Sequence, residues 1–230
     1  FKHNLSQVSQ SNPFQQKHFA ALKSPNQWNC FEDFIRDCPF TEKQDLARDR
    51  EEHPPYGNNL TFPISEYKKF NQTSGTQGKP MAWLDTMEDW KWMLGNWDRV
   101  LEAAGVHPGA HCFFAFSFGP FLGFWTAYES ASQRGCVCIP AGGQSTEQRL
   151  HGILRQKAEH LFCTPTYAMR LTSYAEEAGI DLSGHKLKSI IVAGETGGSL
   201  VEVRNRISAG WGNGLACLLY TSDAADDSAC

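Results

Sequence analysis

The sequence predicts an α/β fold with a largely parallel sheet assembled from βαβ units. Three observations carry this. Four short apolar runs, HCFFAF, CVCIP, HLFCTP and LKSIIVAG, follow one another between residues 111 and 194. Each is followed by a turn and then by a stretch whose apolar residues keep helical spacing, a pattern that pairs strands in parallel through right-handed crossovers. The turns themselves, SFGPFLG, AGG, TPTY and GETGG, all leave the carboxyl ends of strands. In open α/β sheets that is the edge where ligands bind.

The elements follow in order. Residues 1–60 are polar and broken by Pro and Gly, a segment of short helical pieces, while residues 61–212 are expected to form the α/β subdomain. In CPFTEKQDLARD, Thr41 with Gln44 three residues later reads as a capping box. Tyr67 to Leu84 reads as strand, hydroxyl-rich loop and strand. A long helix is then predicted, capped by Thr86 with Asp89. Its core stripe is Trp90, Met93, Leu94, Trp97, Val100, Leu101 and Ala104, and Gly105 and Pro108 stop it. The strand from His111 to Phe116 leads through a glycine-rich turn into a helix ending at Arg134. STEQRLHGILRQKAE presents Leu150, Ile153 and Leu154 on one face; TYAMRLTSYAEEAG ends at Gly179; SLVEVRNRIS closes the alternation.

Composition narrows the function. With 21 basic and 25 acidic residues the net charge is −4, and no basic run is present, so neither nucleic acid nor an anionic membrane is an expected partner. No apolar run reaches the ~18 residues of a membrane span. The first residues lack a starting Met and a signal-peptide core, which reads as a start within a longer protein. The eight cysteines include no C-x-x-C. Cys136 and Cys138 fall two apart in CVCIP, on one face of a buried strand, where a thiol acts as a small hydrophobe. This usage points to a reducing, cytoplasmic setting. Asn4, Asn59 and Asn71 stand in N-x-S/T sequons, read as chance matches. The eight histidines form no metal-ligand pattern, His151 and His160 are expected to be surface or core residues, and no G-x-S-x-G or H-E-x-x-H occurs.

The stretch QTSGTQGKP, Gln72 to Pro80, is the chemical centre of the sequence. Thr73, Ser74 and Thr76 surround Gly75 and Gly78, and Lys79 closes the run. Glycines free the backbone to turn its N–H groups inward, hydroxyls add donors, and the lysine adds charge: together, a cradle for phosphate. It is not a Walker A loop, because only two residues separate the glycines and Pro80 follows Lys79. A dinucleotide fingerprint is also missing. The residues alone leave open a solvated loop and a non-catalytic nucleotide- or phosphate-binding α/β module.

The stretch resembles the phosphate loop of the adenylate-forming enzymes, and the phenylacetate–CoA ligase branch in particular. CPFTEKQDL, AAGVHPGA, SFGPFLGFW, IPAGGQSTEQRL, FCTPTYAMRL and VAGETGG fall in the order of that branch's landmarks, over roughly residues 12 to 211. The resemblance implies part of the large N-terminal domain of an ATP-dependent carboxylate–CoA ligase, which activates an aryl, phenylacetate-like acid as an acyl-adenylate and passes the acyl group to the thiol of CoA. Ser74, Gly75, Thr76, Gln77, Gly78 and Lys79 would hold the ATP phosphates, with Lys79 and Thr76 as the catalytic pair. Gly194, Glu195 and Thr196 would lie beside the adenine, with Thr196 where the family usually has Pro. Phe118, Gly119, Phe121, Gly123, Pro165 and Tyr167 would line the acyl pocket. Phe118 and Tyr167 also suit plain core aromatics, and Glu195 could cap the helix that follows it. No metal ligand is assigned within the chain. The Mg²⁺ carboxylate, a ribose-binding Asp and a catalytic Lys are implied downstream, so the chain alone is expected to be inactive. A homodimer is the expected assembly of the parent. GNGLACLLYTSDAADDSAC, residues 213–230 with Trp211-Gly212 before them, shows no period matching the core and resembles a non-native tail.

Overall fold

The computed structural model describes residues 2–20, 30–73, 79–195, 198 and 200–212, with the backbone of 216–219. The chain divides into two compact units, Phe1–Trp90 and Lys91–Cys230.

In the first unit, helices α1 (Lys2–Ser11), α2 (Pro13–Phe19), α3 (Phe31–Asp37) and α4 (Lys43–Glu52) precede a hairpin of β1 (Tyr67–Gln72) and β2 (Ala82–Thr86). Asn12 starts α2 by accepting the N–H of Gln15 at 3.0 Å, with Pro13 at the first helical position, where no N–H is needed. Its amide also reaches Asn59 and Thr61, which ties this helix to the approach to β1. The capping box of α4 falls one residue later than the sequence suggests: Glu42 and Asp45 form it, not Thr41 and Gln44. A carboxylate pair suits this site, since negative charge is favoured at the positive end of the helix dipole. At the other end, buried Asp49 accepts the N–H of Asn58 at 2.6 Å. Its carboxylate occupies the space a Cβ on Gly57 would need, 2.4 Å away, so only glycine (φ +77°) fits that turn.

The hairpin is antiparallel, from Tyr67↔Thr86 to Gln72↔Ala82. Beyond it, Thr73 N donates to Met81 O and Met81 N to Thr73 Oγ1, both at 3.0 Å. These bonds close the base of the hydroxyl-rich loop. Between the strands, buried Asn71 donates to Asp85 at 2.9 Å. Burial raises the Asp85 carboxyl above its usual range, against the opposing effect of that hydrogen bond.

Helix α5 (Met87–Ala103) begins with the expected exchange: Asp89 N donates to Thr86 Oγ1 and Thr86 N to Asp89 Oδ2, each at 3.2 Å. Trp90, Leu94, Trp97 and Leu101 are buried, Met93 and Val100 half-buried. Gly105, at φ +71°, ends the run.

The second unit continues through β3 (His111–Phe114), α6 (Leu122–Gln133), β4 (Val137–Pro140), α7 (Thr146–Arg155), β5 (His160–Cys163), α8 (Pro165–Ala178), β6 (Ser189–Val192), α9 (Val201–Trp211) and β7 (Ala216–Leu219). The strands form one parallel sheet in the order β4-β3-β5-β6-β7. Strand side chains alternate between two cores. Phe113, Leu161 and Ile190 meet Leu150, Ile153, Leu171 and Ile207 of the later helices. Phe114, Phe162 and Ile191 meet Trp97, Leu101 and Ala131 on the opposite face. Phe114 and Phe162 stack across the strands at 4.4 Å.

Two expectations need correction. CVCIP is not a fully buried strand: β4 lies at the sheet edge, with Val137 exposed and Cys136 and Cys138 half-buried on the α5–α6 face. An apolar run marks a strand but not its place in the order. Within residues 213–230, Ala216–Leu219 extends the sheet as a fifth parallel strand, from Ser189↔Ala216 to Val192↔Leu219. The short run ACLL completes the open ladder of β6, a demand that periodicity alone does not express.

Candidate functional site at the carboxyl edge of the sheet

Because every strand of the sheet is parallel, the turns after β3, β4, β5 and β6 emerge at one edge. Strand order reverses at β3: its crossover leads outward to β4, and the chain then returns to β5 on the other side. The crevice between β3 and β5 is therefore the topological switch point. The residues proposed for the acyl pocket come from the two turns that flank it.

The β3 turn is held by aromatic contacts. The Phe118 ring lies 5.2 Å from Phe116, 4.9 Å from Trp125 and 5.3 Å from Tyr128, and is half-buried. Trp125 Nε1 donates to Gly119 O at 2.9 Å, fixing the bend. A Cβ on Gly119 would stand 2.7 Å from the Phe121 ring, which explains why this position has none. Phe121 precedes α6 and packs edge-on against Phe124, and Gly123 lies in the helix's first turn. Phe118 also faces the β4 turn, where a Cβ on Gly142 would be 3.6 Å from its ring.

Polar contacts join the other turns. Thr164 caps α8 by accepting the N–H of Tyr167 at 3.3 Å, and Pro165 is buried at the first helical position. Tyr167 Oη bonds Thr146 Oγ1 at 3.3 Å, reaching the start of α7. Arg149, only 8% exposed, donates Nε to Ala141 O at 3.0 Å and Nη1 to Ala115 O at 3.2 Å; its guanidinium carbon lies 4.9 Å from the centre of the Tyr167 ring. One side chain thus satisfies the first carbonyls beyond β3 and β4 and supports the first turn of α8. From the β6 turn, where Gly194 has φ +85°, Glu195 accepts from Thr166 Oγ1 at 2.5 Å and Thr166 N at 3.3 Å. Glu195 therefore caps the helix before it in the sheet, α8, not the helix after it in sequence. Helix α9 begins at Val201, and Leu200 before it makes no side-chain cap.

In the first unit, Lys79 is 89% exposed and lies 3.4 Å from Glu51 in an exposed ion pair, a contact weak enough to leave its ammonium available. Ser74, Gly75, Thr76, Gln77 and Gly78 lie outside the described residues, as does Thr196. Of the residues expected from sequence, the sheet edge gathers Phe118, Gly119, Phe121, Gly123, Pro165, Tyr167, Gly194 and Glu195. Arg149, Trp125, Thr146 and Thr166 join them without having been singled out. Arg149 left one trace: it is four residues before Ile153 and next to Leu150, on the core face of an amphipathic helix.

At the opposite edge, His160 is fully buried and shares a hydrogen bond of 2.8 Å between Nδ1 and Ser189 Oγ, while Nε2 has no partner among the described residues. Burial pushes its pKa down to about 4, so the ring is neutral, as a core histidine should be.

No family model matches the chain. It is 30% identical over 171 residues to a phenylacetate-coenzyme A ligase of Thermus thermophilus, a match covering 74% of this chain and 37% of that protein. A phenylacetate-coenzyme A ligase of Aromatoleum evansii is 29% identical over 161 residues, 68% of this chain and 34% of the relative. Among solved structures, 2-hydroxyisobutyryl-CoA ligase in complex with 2-HIB-AMP and CoA superposes with a TM-score of 0.86 at 26% identity, over 95% of this chain and 46% of that one. The same ligase in its postadenylation state with 2-HIB-AMP gives 0.85 at 26% identity. Fold and sequence together define the class: an adenylate-forming enzyme chain. Within that superfamily the chain is similar to the phenylacetate–CoA ligases. The chain spans less than half the length of these relatives.

Proposed function

We propose that the chain is the nucleotide- and acyl-binding portion of an AMP-forming ligase that joins an aromatic carboxylic acid to CoA. The observation that carries this is the superposition on 2-hydroxyisobutyryl-CoA ligase over 95% of the chain, with that ligase's ligands an acyl-adenylate and CoA. A carboxylate cannot acylate a thiol directly, because the group to be expelled is oxide. Attack of one carboxylate oxygen on the α-phosphorus of ATP forms the acyl–O–P bond, and the bond to the β-phosphate oxygen breaks to release pyrophosphate. The CoA sulfur, losing its proton, then attacks the acyl carbon and AMP departs.

The protein's task in the first step is to stabilise charge on the leaving pyrophosphate, by electrostatics and positioning without a covalent intermediate. Ser74, Thr76 and Lys79 supply donors and a positive charge for this role. Gly194, Glu195 and Thr196 are assigned to the adenine, with Glu195 held by its bonds to Thr166. Phe118, Phe121 and Tyr167 favour an apolar, aromatic acyl group. Among the described residues no group of three or more His, Cys, Asp or Glu is placed to hold a metal ion. Magnesium, which would offset phosphate charge when bound, is assigned to carboxylates outside this chain. Among the described residues no helix is long and apolar enough to cross a membrane.

The test is ATP–pyrophosphate exchange by the chain completed to its relatives' length, for instance joined to the remainder of the Thermus thermophilus ligase. Exchange should depend on an added acid, with phenylacetate well above acetate. Exchange independent of acid, or acetate outperforming every aromatic acid, overturns the proposal.

A further inference from the structure

Arg149 is more than nine-tenths buried, yet among the described residues it has no carboxylate partner. A buried guanidinium is costly unless its charge and its five donors are matched. Here Nε and Nη1 are each matched by a strand-end carbonyl, and the Tyr167 ring receives one face. Nη2, which carries two N–H groups, has no partner among the described residues and is not one of their fully buried unpaired atoms, so it is the end of the guanidinium that reaches solvent. Two carbonyl dipoles and a ring hold the rest of the group, and these two N–H groups are left to meet water or an acceptor. The carbonyls belong to Ala115 and Ala141, at the carboxyl ends of β3 and β4, so this cation stands at the ligand-binding edge beside the switch-point crevice.

Its position along that edge is informative. Gly194 and Glu195 follow β6, and in the order β4-β3-β5-β6 the strand β3 lies two places away. Strands are spaced by about 4.8 Å, so the β3–β4 boundary, two and a half spacings from β6, is about 12 Å from the β6 turn. An acid activated beside the β6 turn and laid across the crevice has its carboxyl carbon at the nucleotide end and its far end toward Arg149. We propose that Arg149 determines specificity by receiving a hydrogen-bond acceptor, carboxylate above all, at the end of the acid remote from the carboxyl group that is activated. The preferred substrates are then aryl acids with a polar or anionic distal substituent. This rests on the acyl-crevice reading of the proposed function and names the substrate class within it.

The probes are phenylacetate and 4-carboxyphenylacetate, titrated into the ¹⁵N-labelled 230-residue chain and followed by NMR, which reads millimolar affinities. The Arg149 Nε–H resonance is identified by its loss in Arg149→Gln. The expected result is a shift of that resonance with the dicarboxylic acid and about tenfold tighter binding of it than of phenylacetate, the effect of one charge-assisted hydrogen bond. In Arg149→Gln the two acids should bind equally; in Arg149→Lys, which keeps the charge, the preference should persist. If Arg149→Gln does not fold, the wild-type preference and the lysine variant decide. Equal binding by the wild-type chain, or a preference that survives Arg149→Gln, overturns the proposal and leaves the acyl-crevice reading intact. Binding of neither acid overturns both.

Discussion

Lys79 and Glu195, both proposed to meet the nucleotide, are held very differently. Lys79 is restrained only by an exposed ion pair with Glu51. Such pairs contribute ~0–1 kcal/mol, so exchange of that carboxylate for a phosphate meets little resistance. In the completed enzyme Lys79→Ala should therefore lower the ATP-dependent rate by roughly ten- to a hundredfold, the loss of ~1.5–3 kcal/mol from a charge-assisted contact. Unchanged steady-state kinetics would remove Lys79 from the reaction. Glu195 is already committed to the start of α8 through Thr166. Glu195→Ala removes a helix cap and should lower stability by about 1 kcal/mol in urea unfolding; no change would show that the bond to Thr166 adds nothing. The sequence exposed Lys79 because lysine, glycine and hydroxyl residues are contiguous in one loop. It hid the role of Glu195 because the helix it caps begins thirty residues earlier in sequence but is adjacent across β5 and β6.

The elements of the second unit were legible because their signals are local. Ser145 and Gln148 form the capping box that begins α7, and Gly179 at φ +65° ends α8. What was not legible is lateral: which strand lies at the edge, and which helices approach closely. Gly152 of α7 is such a contact, since a Cβ there would lie 2.9 Å from the Phe113 ring. Gly152→Ala should therefore overpack the core and cost roughly 1–3 kcal/mol by denaturant titration. A neutral result would mean that Phe113 has room to shift. The burial of His160 on β5 gives the sheet a pH dependence. The folded ring has a pKa of about 4, below the ~6.5 of an unfolded chain, so between these values the unfolded state binds more protons. Stability is then full above ~6.5 and falls as pH drops toward 4. The melting temperature should decline over that interval in the wild-type chain and less steeply in His160→Gln. Parallel pH profiles would assign the acid sensitivity to other groups.

At the scale of the whole molecule, the chain carries the carboxyl edge of a parallel sheet and a hydroxyl-rich loop, and spans 46% of the ligase structure on which it superposes. The proposed chemistry distributes its charge over more contacts than these. Each charge-assisted contact to ATP contributes ~1.5–3 kcal/mol, so a protein lacking two or three of them binds nucleotide roughly a hundredfold or more weakly, toward the millimolar range. Weak ground-state binding also removes the positioning on which phosphoryl transfer depends, since a misplaced α-phosphate cannot meet the carboxylate in line. The polypeptide of residues 1–230 should therefore release no pyrophosphate from ATP and phenylacetate above the background of its Lys79→Ala variant. Joined to the remaining part of the Thermus thermophilus relative, the same residues should release it in an acid-dependent manner. Acyl-adenylate detected by mass spectrometry with residues 1–230 alone would mean that the essential electrostatics lie within this chain, and that the carboxylates and lysine assigned elsewhere are dispensable for the first half-reaction.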